Sequence, residues 1–164
     1  MMDLLFFESI GERLHPFLAS LPLSLLATAF VFLTSAALKG RDLALGRWLL
    51  SMVLILVGAA YLSGDFGRDG ASKTFEVDGE LIAQHQAWAK SLLMVLIVAC
   101  AVLWLEAVAT ASRKVLRWLG VALGAVAVLL NLIAGSKGGD LVFKHGAGVS
   151  ASCAEPLPPA GHEN

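Results

Sequence analysis

Four apolar stretches, over residues 16–38, 47–63, 87–109 and 116–134, alternate with short polar segments along the chain. A hydrocarbon core about 30 Å thick needs about 20 helical residues. Three stretches meet that length, and 47–63 suffices if it stands with little tilt. Lipid offers no water to a free amide, so each stretch has to close its own hydrogen bonds as a helix. The pattern predicts an all-α integral membrane four-helix bundle in up-down order. Pro16 suits a helix start, where no amide donor is missed, and Pro22 one turn on predicts a kink. Gly58 and Gly64 in "GAAYLSG", and Gly120 and Gly124 in "GVALG", supply small faces for close helix contact. No internal repeat stands out.

The flanking segments divide the chain further. Residues 1–15 mix Leu4, Phe6 and Ile10 with Asp3, Glu8 and Glu12, which suits an interfacial helix or a frayed tail rather than a cleavable signal peptide. The bundle itself occupies 16–135, a glycine-rich outer turn 136–149, and a disordered, proline-containing tail 150–164.

Composition agrees with a life in lipid: 57% of residues are hydrophobic and 15% charged. A net charge of −1 leaves no electrostatic footprint for nucleic acid. Cys100 lies inside an apolar stretch and Cys153 in the tail, so no disulfide and no covalent haem attachment is expected. Basic residues crowd the first and third turns, as Lys39, Arg41 and Arg47 and as Arg113, Lys114 and Arg117. Such short basic turns mark the cytoplasmic side. Both termini and the 64–84 loop then face outward, from a bacterial inner membrane towards the periplasm. Trp48, Trp104 and Trp118 fall at the inner interface, and Trp88, Tyr61 and Phe17 at the outer one.

The membrane interior carries little chemistry. Asn131, Ser24, Thr28, Thr34 and Ser51 are isolated, and Glu106 lies near enough to the inner surface to reach water, so no proton relay or ion path is expected. The histidines stand apart. His15 precedes the first span, His85 precedes the third, and His145 follows the fourth, which puts all three at one level on the outer face. Three imidazoles there form a ligand set for iron, copper or zinc, or else cap helix ends and bond loop carbonyls. His15, before a proline, is expected in extended backbone. "GGDLVFKHGAGV", from Gly138 to Val149, predicts a short strand or hairpin over the bundle mouth, with Lys144 placed to meet a carboxylate. His162, in the tail, has no expected role.

"LHPFLASLPLSLLA", "GAAYLSGDFG", the histidine opening the third span and "GGDLVFKHGAGV" together resemble the bacterial four-helix membrane family of domain of unknown function 2231. The resemblance covers about residues 14–149. It implies a fold and topology rather than a reaction, with His15, His85 and His145 as the family-type positions and Asp65 as an addition outside the pattern.

Three functions fit these residues. The first is a haem b protein passing electrons to a redox partner, with His15 and His85 as axial ligands. Gly58 or Gly64 would make room for the porphyrin, and Lys144, Arg68 or Lys137 would meet its propionates. The second is a copper or zinc protein liganded by His15, His85 and His145, with an open fourth position and Asp65 in reserve. The third is a non-catalytic accessory subunit of a larger respiratory or transport complex. An electron-transfer or accessory role is favoured over a stand-alone enzyme, with the lipid bilayer as the one certain partner.

Overall fold

The computed structural model describes the backbone of residues 2–74 and 77–147, and the side chains of 15–66 and 77–147. Four helices follow one another: α1 Met2–Leu38, α2 Ala44–Thr74, α3 Gly79–Val108 and α4 Arg113–Phe143. Each contains a segment long and apolar enough to cross a membrane.

Every helix outruns the apolar stretch that predicts it. Hydropathy reports the length immersed in lipid, whereas a helix that closes its own hydrogen bonds can continue into water. The 64–84 segment, expected as a loop, is therefore largely helical. α2 continues to Thr74, and α3 starts at Gly79 behind an Asp78 cap whose carboxylate accepts from the Glu80 amide at 2.9 Å. α4 likewise runs through "GGDLVF", so the expected strand or hairpin is helix and the outer turn shrinks to its last residues. The chain turns only at Gly146, where φ is +68° and the amide donates to Val142 O at 3.1 Å. α1 passes through Pro16 and Pro22 without ending, and His15 is helical rather than extended. The side chains of residues 2–14 and all of the 150–164 tail, with Cys153 and His162, lie outside the described residues.

α1 packs on α2 and α3 on α4; the two hairpins meet more sparsely, through α2 with α3 and α1 with α4. A repeat that the bare sequence hides emerges here. His15, Pro22, Leu26, Ala29 and Leu33 of α1 stand at one constant offset from His85, Leu92, Leu96, Ala99 and Leu103 of α3. Apart from the half-buried histidines, all of these are buried. Gly46, Leu50, Val53, Ala60 and Gly64 of α2 match Gly120, Gly124, Ala127, Ala134 and Gly138 of α4 in the same way. Even the contacts repeat. A Cβ on Gly46 would come 2.6 Å from Leu33 Cγ, and one on Gly120 would come 2.5 Å from Leu103 Cδ2. Each leucine fills the notch its glycine leaves, so neither glycine admits a larger residue unless that leucine or its helix shifts. Gly124 backs onto Phe30, whereas Gly58 faces open space and makes no such seat.

The likeness breaks at the basic end. Glu106 of α3 is fully buried, with 0% exposure, rather than reaching water as expected. Three arginines surround it. Arg47 donates to Oε2 at 3.1 Å, Arg113 to Oε1 at 3.1 Å and Arg117 to Oε1 at 2.9 Å. Arg47 is itself buried; it also donates to Leu103 O and lies 5.4 Å from the centre of the Trp104 ring, which meets Trp48 edge-on. The positions equivalent to Arg47 and Glu106 in the other hairpin are Val121 and Ala36, so this knot exists once. It ties α2, α3 and α4 together.

Removing one partner of a buried ion cluster strands the rest. Glu106→Leu is expected to destabilise the bundle by about 3–5 kcal/mol, because the buried Arg47 loses its close carboxylate and keeps only the exposed Asp42 at 3.6 Å. Adding Arg47→Met should recover much of that loss. Unfolding of the two variants in mixed detergent micelles checks both, and equal stabilities for the single and double variants would refute the account.

Candidate functional site: two imidazoles at the seam of the hairpins

His15 and His85 occupy equivalent positions at the end of the bundle opposite the arginines. Both are half-buried. Each reaches across its own hairpin to a backbone carbonyl: His15 Nδ1 to Ala60 O at 2.8 Å, and His85 Nδ1 to Ala134 O at 3.1 Å. Carbonyl oxygen only accepts, so each ring carries a proton on Nδ1, and in the neutral ring Nε2 is then the nitrogen with the lone pair. Ser63 supports the first of these bonds. Its hydroxyl donates to Ala60 O at 2.9 Å and lies 3.4 Å from His15 Nδ1.

A glycine seats each ring. A Cβ on Gly64 would come 2.8 Å from His15 Cε1, and one on Gly138 would come 3.0 Å from His85 Cε1. The carbonyl and its glycine are one helical turn apart in both hairpins, in the segments "AYLSG" and "AGSKG". Between hairpins the two rings meet edge-on, with 6.2 Å between centroids and 80° between planes.

The other residues singled out in the sequence are placed elsewhere. His145 is exposed in the turn after α4, and Lys144 is exposed and paired with Asp140 at 2.9 Å. Asp65 and Lys137 are exposed on α2 and α4. The Arg68 side chain lies outside the described residues. Among the described residues no group of three or more His, Cys, Asp or Glu side chains could share a metal ion, so the three-histidine cluster is not assembled.

Sequence reading missed the acceptors and one of the seats. Nothing in a residue's identity announces that its carbonyl will take a side-chain bond, and Gly138 passed for a loop glycine. The two Ala-x-x-x-Gly segments were the available signal. A further residue stands out on α4: the buried amide nitrogen of Asn131 has no hydrogen-bond partner, and it lies on the stripe that carries Ala134 and Gly138.

The tautomer is directly measurable. In protein labelled with 15N-histidine and free of metal, at a pH alkaline enough for imidazoles to be neutral, His15 and His85 are expected to show a protonated Nδ1 and a bare Nε2. Gly138→Val should alter the His85 signals and leave those of His15 in place. Protonated Nε2 on either ring would refute the hydrogen-bond assignment.

No curated protein and no solved structure matches the chain. A family does: residues 11–151 match the one described as "Predicted membrane protein (DUF2231)". The match takes in both hairpins and both histidine seats, so the chain belongs to this family of membrane proteins.

Proposed function

We propose that the protein is a membrane-embedded haem b protein whose axial ligands are His15 and His85. The observation that carries this reading is the pairing of two imidazoles, each with its Nδ1 proton held by a backbone carbonyl and its Nε2 available. Such a second bond fixes the tautomer and the ring direction and makes the free nitrogen more basic, which is how ligating histidines are commonly prepared. With metal–imidazole bonds of about 2 Å, two rings sharing one ion stand about 6 Å apart at their centroids, close to the 6.2 Å found here.

The count of ligands favours haem over a bare ion. Copper and zinc sites draw three or four ligands from the protein, whereas the described residues converge only two. Haem iron brings four equatorial nitrogens and asks the protein for the axial pair. His15 and His85 belong to different hairpins, and the seam between hairpins is the sparser packing. A flat group therefore displaces least there. Asn131 adds a buried donor in want of an acceptor, and Lys137, exposed beside Gly138, offers a cation to a propionate. Gly64 and Gly138 hold the rings in place, while Gly58 lies open and Lys144 is engaged with Asp140, so neither is assigned a part.

Bound haem would supply one-electron chemistry. The chain's part is to orient both imidazoles and to hold their protons on Nδ1, away from the ligating nitrogens. By the distribution of basic residues the arginine end faces the cytoplasm, which puts the histidine pair near the outer surface of a bacterial inner membrane, within reach of a redox partner there.

Protein expressed with haem supplementation is expected to carry one haem with the spectrum of a six-coordinate low-spin centre. His15→Ala and His85→Ala should each abolish that spectrum while helical content by circular dichroism stays within about a tenth of wild type. Stoichiometric copper or zinc without haem would replace this reading with a metal-binding one. Retention of neither haem nor metal would leave an accessory membrane subunit.

A further inference from the structure

We infer that the arginine end of the bundle binds the phosphate of an anionic lipid headgroup. A crevice of about 700 Å³ opens there between the α1–α2 and α3–α4 turns, with Arg41, Asp42, Arg113, Lys114, Arg117 and Trp118 among its walls. Its charge is unbalanced. Arg41, Arg47, Arg113, Lys114 and Arg117 gather at this end against the carboxylates of Asp42 and Glu106 alone. Glu106 is shared by three arginines, and Asp42 reaches Arg47 and Arg113 only at 3.6 and 3.7 Å. Arg41 and Lys114 have no carboxylate partner among the described residues, and both are exposed.

The backbone adds to this field. Ser112, at the N-cap of α4, makes no side-chain hydrogen bond to the first turn, so the amides there lack a side-chain cap, and Arg113 and Lys114 of that turn line the crevice. A helix start with free amides, flanked by guanidinium and ammonium groups, favours a phosphate. Trp118 forms part of the wall, and an amphipathic ring at the headgroup level suits the boundary between phosphate and acyl chain. From behind, the buried Glu106 accepts from Arg113 and Arg117, which ties both to the crevice wall. None of this depends on the histidine site at the opposite end.

A phosphate could also arrive free in solution, and the test separates the two sources. Full-length protein is placed in nanodiscs of phosphatidylcholine containing a minor fraction of phosphatidylglycerol, and co-purifying lipid is counted by native mass spectrometry. Wild type is expected to retain phosphatidylglycerol above its bulk fraction. Arg41→Gln with Lys114→Gln should lower that preference roughly thirtyfold, while Lys90→Gln, on α3 away from the crevice, leaves it unchanged. Loss of the bound lipid on adding millimolar inorganic phosphate would assign the site to a soluble anion and overturn the lipid assignment. Equal retention of neutral and anionic lipid, or full preference in the double variant, would overturn the site altogether. Both altered side chains are exposed and outside the Glu106 knot, so the variant keeps its fold; circular dichroism verifies that.

Discussion

A polar group carried into hydrocarbon without a partner costs several kcal/mol, and in this bundle that constraint decides which helix meets which. The two imidazoles and the Glu106 carboxylate sit on spanning helices, and each finds its partner on another helix. Apolar packing alone would be indifferent, since lipid tails are as apolar as leucine. The interhelical polar bonds, together with the glycine notches that let helices approach, give the bundle a preferred arrangement. His15 and Ala60 O pin the first hairpin, His85 and Ala134 O the second, and Arg47 with Glu106 joins one to the other.

The two ends of the molecule use this constraint differently. At the histidine end the hairpins are equivalent, with the same donor, the same acceptor and the same glycine seat in each. Equivalent halves present equivalent groups to the seam between them. At the arginine end the equivalence is lost, because Val121 and Ala36 stand where the partner hairpin has Arg47 and Glu106. An ion knot made once, with unequal charges, fixes how the hairpins dock and leaves surplus positive charge facing the headgroups. Symmetry shapes the histidine end and its breaking shapes the arginine end.

That division also separates the two ends chemically. The arginine cluster is held by charge, and Glu106 remains fully buried behind it. The histidine pair is held by neutral hydrogen bonds, which leave a lone pair on each ring rather than consuming it. An ordinary helix-capping histidine would end its role at the carbonyl. Here both rings are capped in that way and still meet edge-on across the seam.

The sequence by itself determined the four spans, their up-down order, the basic turns and the placing of His15 and His85 at one end of the bundle, because hydropathy, charge and residue type are properties of local stretches. It did not determine where helices end in water. Immersion length and helix length are separate quantities, as α2 running to Thr74 and α4 through Gly138 demonstrate. Nor could it reveal the repeat, since leucine, alanine and glycine recur throughout any membrane helix and only burial and contact distinguish Leu33 on Gly46 from Leu103 on Gly120. The carbonyls of Ala60 and Ala134, the three arginines on Glu106 and the separation of His145 from the other two histidines were decided by tertiary structure alone. Every one of them is a relation between atoms brought together from distant parts of the chain, and such relations exist only once the helices have packed.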